Sequence, residues 1–285
     1  MMRYGIWIIL FLLMSVASTA EGSEVQNLLP QNTWHVLELG LEFGEFLPPH
    51  ASEQTDSCIR VLRIDPRQFE FRLLNASSIE PHQLFTAKQW CQQYNLVAAI
   101  NASMYQKDYL ASVSLMRTKG HINNPRLSKD KAILAFDRRT LDVPLLRMID
   151  RQCENFDDWK DKYYTFVQSI RMISCTGQNV WRQQPQKQST SVIALDEDGW
   201  GMFIHVRFPY STHDLINILL ALPLRISQAM YAEGGNEAQL YIRSRDAEYE
   251  FIGGYSPDFN NSHGYQYATP IPNVVAVARR ITPVY

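Results

Sequence analysis

The run Asn95-Leu96-Val97-Ala98-Ala99-Ile100 is short and, after its first residue, continuously apolar. A strand without polar alternation is typical of a position buried on both faces, so this run predicts a strand in the interior of a sheet. Residues 273–278 (NVVAVA) have the same character and predict a second buried strand. We therefore expect both segments inside the domain rather than at its surface.

On either side of these runs, β-branched and aromatic residues alternating with polar ones predict strands over residues 34–39, 58–64, 69–74, 112–116, 132–136, 145–148, 166–173, 191–195, 202–206, 229–232, 239–242 and 248–252. Segments 58–64 and 69–74 predict a hairpin. Helices are predicted over residues 84–94, 155–163 and 212–222, the last capped by Ser211, and a loop over 253–270. Because strands outnumber helices and no βαβ alternation occurs, we expect a single α+β domain with mixed or largely antiparallel β-sheets and a few packed helices.

The N-terminal residues have the pattern of an export signal. Arg3 precedes an apolar run over residues 6–16, and the small residues Ala17-Ser18-Thr19-Ala20 follow. A spanning helix needs about 20 apolar residues, which favours a cleaved signal over an uncleaved anchor. We predict a signal peptide at 1–20, an N-terminal extension with the first strand at 21–57 and the main domain at 58–285. The mature protein is expected to be secreted or periplasmic, with no membrane span after signal cleavage.

Composition excludes some functions and constrains the cysteines. The chain has 27 basic and 29 acidic residues, so it lacks the basic field that nucleic acid binding needs. Its 4 cysteines allow one or two disulfides in an exported protein. Cys153 and Cys175 close the shorter loop and are predicted to pair, with buried thiols as the alternative. No Cys-x-x-Cys spacing of a zinc site is present.

The segment Tyr231-Ala232-Glu233-Gly234-Gly235-Asn236-Glu237 points most directly to chemistry. A short apolar strand runs into a carboxylate, two glycines that let the backbone approach a ligand, an amide and a second carboxylate. Carboxylates held at a strand end suit acid–base or nucleophilic work. The alternative is an ordinary Gly-Gly turn with solvated acids.

Three other segments place polar side chains at or in predicted strands. Asn101 follows the apolar run, and its amide suits a sugar hydroxyl or phosphate oxygen, or else fixes its own turn. Arg171 stands in an apolar strand and suits a phosphate, or else a structural ion pair with Glu233 or Glu237. His205 and Arg207 share one strand face, with a purely structural histidine as the alternative at 205.

No cofactor and no metal site are predicted. A divalent cation near Glu233 is compatible with its carboxylate, but no ligand spacing supports one. The sequence also lacks a Gly-x-Ser-x-Gly nucleophile elbow, a P-loop and a His-Glu-x-x-His pair.

Taken in order, these segments resemble the phosphodiester glycosidase family. That family has a strand ending in Asn, small residues and an aromatic, then a Gly-containing turn, a hairpin strand before a short helix, a strand ending in Asp-Gly-Gly-Gly-Ser, and a closing Pro-x-Pro-Asn-Val-like strand. The matching segments here are residues 101–105, 174–177, 191–206 with 214–222, 233–237 and 270–274. The family's Asp is Glu233, and its third Gly and Ser are Asn236 and Glu237, so the chain resembles a divergent, bacterial-type member.

The resemblance implies an exported hydrolase that cleaves a glycosyl-1-phosphodiester or a related envelope glycoconjugate. Glu233 is then the general acid/base or nucleophile, Arg171 neutralises phosphate charge, and Asn101 orients the sugar. Further contacts to the carbohydrate or glycosyl-phosphate substrate are expected from Ser103, Tyr105, His205, Arg207, Gly234, Gly235, Asn236 and Glu237. The alternative is a non-catalytic envelope protein that binds glycans or a protein partner on the same fold. The enzymatic roles require residues 101, 171 and 233 to line one cavity.

Overall fold

The structure, a computed structural model, describes residues 32–49, 57–254 and 267–281 of the chain. Within these ranges it contains three sheets and two α-helices, and every hydrogen-bonded strand pair is antiparallel. The expected single α+β domain with largely antiparallel sheets is confirmed. The predicted signal peptide, residues 21–31 and 50–56 of the predicted extension, and residues 255–266 of the predicted loop lie outside the described residues.

Sheet I has seven strands and carries Glu233. From one edge to the other, its strands are β1 (Trp34–Glu38), β2 (Leu41–Phe46), β3 (Ile59–Ile64), β13 (Gly201–Tyr210), β12 (Gln188–Asp196), β14 (Ile226–Gly234) and β11 (Arg171–Ile173). The acidic turn at residues 197–199, which contains an Asp-Gly pair, joins β12 to β13 in a hairpin.

Sheets II and III have five strands each. The strand order in sheet II is β7 (Ile122–Asn124), β6 (Met116–Arg117), β10 (Tyr163–Ser169), β8 (Ala132–Arg138) and β9 (Leu146–Asp150). The strand order in sheet III is β16 (Glu248–Ile252), β15 (Gln239–Arg243), β5 (Ala98–Asn101), β17 (Asn273–Arg279) and β4 (Phe69–Asn75). The two apolar runs are thus β5 and β17, which pair with each other and are buried along almost their whole length.

Two helices cover outer faces of the sheets. Helix α1 (Ala87–Gln93) packs on sheet III and starts with a capping box, in which Thr86 and Gln89 each accept the other's backbone N–H. Helix α2 (Thr212–Ala221) packs on sheet I and starts at Ser211, as predicted from its capping chemistry.

The main core lies between the three sheets. Phe203 of sheet I, Phe136 of sheet II and Phe71 of sheet III meet there. The Phe71 ring centroid is 6.1 Å from that of Phe136 and 5.9 Å from that of Phe203. Because a close-packed interior is hard to deform, these contacts hold the strand ends of sheet I in a fixed position relative to those of sheet III.

Four secondary-structure predictions are wrong. The strand predicted over 112–116 is reduced to β6, Met116–Arg117, and Ser112 forms only an isolated bridge with Tyr105. Residues 58–64 and 69–74 do not form a hairpin, because β2, which the pattern did not predict, takes the place beside β3, and β4 pairs with β17 in another sheet. The helix predicted over 155–163 is only a 3₁₀ turn at Phe156–Asp158, since β10 already starts at Tyr163. The strand predicted over 166–173 is divided between β10 of sheet II and β11 of sheet I.

Cys153 and Cys175 form the predicted disulfide. It joins the turn after β9 to the turn after β11, and so links sheet II to sheet I. Cys58 and Cys91 are buried and take no part in a disulfide. Neither helix of the described ranges has the length and apolar character needed to cross a membrane.

Candidate active site

Glu233 lies near the end of β14, at a point where the strand register changes. Ser191 of β12 faces Glu233, whereas the next residue, Val192, faces Tyr231, so β14 contains one extra residue here. Such bulges redirect side chains and are common beside functional sites. The Glu233 side chain is partly buried, and its Oε1 accepts a hydrogen bond of 3.0 Å from the Gly234 N–H.

The two glycines that follow are needed for different reasons. A Cβ at Gly234 would lie 2.1 Å from Tyr231 Oη and 2.3 Å from Gln188 Nε2. These two groups are joined by a hydrogen bond of 2.7 Å, in which Gln188 donates. Gly235 has φ +68°, a region that favours glycine, and starts a short 3₁₀ turn. The turn carries Glu237, whose charge raises the pKa of Glu233.

Asn101 connects the end of β5 to this turn. Its Nδ2 donates to the Glu237 carbonyl oxygen at 2.8 Å, and its Oδ1 accepts from the Gln239 N–H at 2.7 Å. The side chain is only 2% exposed, so both bonds form away from water. The structure therefore brings the segments at 101 and 233–237 together. The amide fixes the turn of a distant segment rather than its own.

Two carboxyl groups and two phenols lie within electrostatic reach of one another. Burial raises the pKa of Glu233 from 4.5 to about 7, the Gly234 N–H lowers it, and the Glu237 charge raises it. Burial and the charges of Glu237 and Glu233 raise the pKa of Tyr105 to about 12, and the same three causes raise the pKa of Tyr231. A carboxyl group with a pKa near neutrality can donate or accept a proton at the working pH of most enzymes.

Aromatic rings border the carboxyl pair. The Trp181 ring centroid lies 5.8 Å from that of Tyr231, and the Tyr109 centroid lies 5.6 Å from that of Tyr105. Tyr231, Trp181, Tyr109 and Gln188 were not predicted as site residues. The sequence pattern placed Tyr231 inside a strand, and no sequence signal marks the other three.

Arg171 is held by a carboxylate that was not predicted from the sequence. Its Nη1 donates to both carboxylate oxygens of Asp150 at 2.8 and 2.7 Å, and the Asp150 side chain is 1% exposed. Asp150 also accepts from the Cys175 N–H at 3.0 Å, so the ion pair lies beside the disulfide. The ion pair suggested with Glu233 or Glu237 is therefore wrong. Arg171 makes no hydrogen bond or ion pair with either in the described part of the chain.

The other predicted residues lie at different depths around the turn. Ser103 is buried and donates to a backbone carbonyl at 3.1 Å. His205 is fully buried between sheets I and III near Phe251, and burial lowers its pKa to about 3, which fits the structural alternative for this histidine. Arg207 is partly buried two residues further along β13, and Asn236 is exposed on the turn itself.

One group of three side chains in the described ranges has the spacing of a metal site, namely Asp150, Cys153 and Cys175. Both sulfurs are in the disulfide and are therefore not thiolate ligands. Glu233 and Glu237 offer only two carboxylates. This donor set does not fit a structural zinc site, which takes four protein ligands.

Comparison with known proteins places this arrangement in a family. The model of the phosphodiester glycosidase family matches residues 94–278. A search of curated proteins finds no match. The catalytic domain of zebrafish N-acetylglucosamine-1-phosphodiester alpha-N-acetylglucosaminidase, auto-inhibited by its pro-peptide, has a TM-score of 0.61 and 10% identity, over 86% of this chain and 86% of that chain. A hypothetical protein from Synechocystis has a TM-score of 0.55 and 13% identity, over 85% of this chain and 62% of that chain.

At these identities the two structures show a shared fold. The family match is the stronger observation, because it covers more than half of the chain and runs from before Asn101 to residue 278 in β17. The resemblance seen in the sequence is thereby confirmed: the chain belongs to the phosphodiester glycosidase family.

Proposed function

We propose that this chain is an exported hydrolase that cleaves the glycosidic bond of a glycosyl phosphodiester or a related glycoconjugate. The observation that carries the proposal is the pair of carboxyl groups, Glu233 and Glu237, at the end of β14, one with a pKa of about 7. Most glycosidases use such a pair, one group protonating the departing oxygen and the other acting on water or on the sugar carbon. Family membership supports a carbohydrate-type substrate.

In this proposal Glu233 is the general acid. Its carboxyl group is partly buried and stays protonated up to a pH near 7, so a proton is available when the glycosidic bond breaks. Glu237, the second carboxylate, activates the attacking water or attacks the sugar carbon. Asn101 is a positioning residue, because its two hydrogen bonds hold the backbone on both sides of Ala238.

Export is the second part of the proposal. The signal-like residues 1–20 and the Cys153–Cys175 disulfide support a secreted or periplasmic location, because disulfides persist in oxidising compartments. N-terminal sequencing of the protein made with its own leader tests this part. The expected sequence begins at Glu21, and a cytoplasmic protein that still begins at Met1 would contradict it.

The enzymatic part is tested by incubating the purified protein with glycosyl phosphodiesters and glycosides of common hexoses and N-acetylhexosamines, and measuring released sugar. Glu233→Gln should lower turnover by about 10²- to 10⁴-fold, the usual worth of a general acid. Glu197→Gln is the matched control, since Glu197 is exposed at the opposite end of β12 and β14. Equal turnover of Glu233→Gln and the control would exclude the acid role.

One observation favours the alternative of a non-catalytic glycan- or protein-binding protein. Two side chains that the sequence resemblance assigned to catalysis, Asn101 and Arg171, are engaged by other parts of the protein. Measuring binding by calorimetry and turnover on the same substrate panel separates the two functions. Binding without turnover, unchanged by Glu233→Gln, would support the alternative.

A further inference from the structure

The segment between β11 and β12 meets the candidate site at two points. At the first, the Trp181 ring centroid lies 5.8 Å from that of Tyr231. At the second, Gln188 Nε2 donates to Tyr231 Oη at 2.7 Å. The six residues in between, 182–187, therefore leave the side chain of Tyr231 and return to it, and we call them the arch.

Polar contacts hold the outer side of the arch on the start of α2. Gln183 Nε2 donates to both carboxylate oxygens of Asp214 at 3.1 and 3.3 Å, and Gln183 Oε1 accepts from Ser211 Oγ at 3.2 Å. Hydrogen bonds from Ser211 and Gln183 lower the pKa of Asp214, and the charge of Lys187 adds to this effect. The arch is thus a fixed border of the site, although five of its six residues are exposed.

The arch carries two positive charges and no negative one. Arg182 follows Trp181 directly, and Lys187 precedes Gln188, so each cation adjoins one of the two contact points with Tyr231. Both cationic side chains are exposed, and neither makes a hydrogen bond or an ion pair with the described part of the chain. Both charges are therefore available to a ligand.

The position of the arch assigns it to the side of the leaving group. In the proposed function Glu233 protonates the departing oxygen, so the groups beside Glu233 border the leaving group. Tyr231 lies two residues before Glu233 on β14, and the Gln188 amide nitrogen would be 2.3 Å from a Cβ at Gly234. Burial raises the pKa of Tyr231, and of the two carboxylates Glu233 adds more to this rise than Glu237. Both contact points of the arch are thus on the Glu233 side of the pair.

We propose that the arch, residues 182–187, forms the subsite for the leaving group, and that Arg182 and Lys187 select leaving groups with negative charge, such as a phosphate monoester. This inference rests on the proposed function and names the residues that recognise its substrate. A guanidinium presents a planar fork that pairs with two phosphate oxygens, and an ammonium is a point charge on a flexible stem. The arch supplies the positive charge that was expected from Arg171, which the buried Asp150 holds elsewhere.

The first test uses the double variant Arg182→Met with Lys187→Met, which removes both charges and keeps long side chains at both positions. The substrates are methyl glycosyl phosphates and methyl glycosides of glucose, galactose, mannose and N-acetylglucosamine in both anomers. For the methyl glycosyl phosphate that is cleaved, kcat/KM should fall at least about 10-fold, because the charge-assisted contacts to the phosphate are lost. For any methyl glycoside that is cleaved, the loss should stay below about 2-fold, because that leaving group has no charge.

The matched control is Arg139→Met with Lys162→Met. These residues are joined by a backbone hydrogen bond at the end of β8 and β10 opposite to Ser169, whose hydroxyl donates to the Tyr231 carbonyl oxygen. The control removes the same net charge far from the site, so both substrate classes should lose less than about 2-fold. Equal losses of the arch variant on both classes, a phosphate loss below about 2-fold, or wild-type turnover of glycosides alone would overturn this inference and leave the proposed function standing. Wild-type turnover of neither class would overturn both.

The second test separates charge from side-chain shape. The swapped variant, Arg182→Lys with Lys187→Arg, keeps both charges and should cleave the methyl glycosyl phosphate at least about 5-fold faster than the Met variant. In wild type, kcat/KM for this substrate should fall as NaCl rises from about 20 to 300 mM, because salt screens exposed charges, and the Met variant should lose most of this dependence. A swapped variant as slow as the Met variant, or the same salt dependence in all three proteins, would overturn the role of the two cations.

Discussion

The raised pKa of Glu233 makes a prediction about stability that requires no substrate. A carboxyl group whose pKa is higher in the folded state binds its proton more tightly there than in the unfolded chain. The stabilisation from this group is fully present below pH 4.5 and is lost as the pH rises through about 7. The free energy of unfolding should therefore fall over that window, and Glu233→Gln, which does not titrate, should remove this part of the fall.

The size of the effect follows from the two pKa values. One pKa unit corresponds to about 1.4 kcal/mol, so a change from 4.5 to about 7 limits the effect to about 3 kcal/mol. Between pH 5 and pH 8 the part that should appear is about 2.5 kcal/mol at most, and less if water reaches the partly buried side chain. Relative to wild type, Glu233→Gln should become more stable by about this amount between the two pH values.

Urea unfolding at pH 5 and pH 8, followed by tryptophan fluorescence with the disulfide intact, measures this difference. Asp161→Asn is the control, because the Asp161 side chain is 79% exposed. If Glu233→Gln and wild type lose stability in parallel between pH 5 and pH 8, the carboxyl group titrates normally. Glu233 would then lack the raised pKa on which its role as a general acid depends.

Three further predictions concern the groups that shape the site. Gly234→Ala should destabilise the fold by about 1–3 kcal/mol in thermal unfolding, because its Cβ would displace the Tyr231 phenol and the Gln188 amide. Gly120→Ala is the control and should change the stability little, because no heavy atom lies within 4 Å of its Cβ. Asn101→Ala should cost about 2–4 kcal/mol in urea unfolding, because it leaves a backbone carbonyl and a backbone N–H without their partner, and a cost below 0.5 kcal/mol would contradict the role given to this amide. Asp150→Ala should lower the free energy of unfolding by about 3–5 kcal/mol, because it leaves Arg171 unpaired. The double variant with Arg171→Met should recover part of that loss, and no recovery would show that the ion pair is not its cause.

Much of the fold could be predicted from local patterns. Uninterrupted apolar runs identified β5 and β17, because strands covered on both faces have no solvent-facing positions. Capping chemistry identified the start of α2 at Ser211. It was harder to predict which strands pair. The turn at Asp65 is compatible with a hairpin of β3 and β4, and only the placement of β2 beside β3 rules that hairpin out. Such pairing depends on contacts far apart in sequence, which a local pattern does not contain.

The candidate site shows the same division between local and distant information. The segment from Tyr231 to Glu237 could be identified because two glycines and two carboxylates follow a strand directly. The pattern also indicated that Arg171 needs a partner. It could not identify Asp150, because that residue ends a strand of a different sheet. Gln188 has no local signature, and only the packing of its amide against a phenol makes it part of the site.

The position of β17 between β5 and β4 has a consequence for how the protein is made. Its residues, 273–279, are synthesised after all other strands of the sheet, so the ribosome must pass residue 279 before β5 gains its second neighbour. Until then, β4 and β5 expose unpaired edges rich in Phe, Leu and Ala, of the kind that aggregates. Nascent chains should therefore depend on holdase chaperones until synthesis is complete, and the strand that ends in Asn101 should be among the last to become protected from hydrogen exchange.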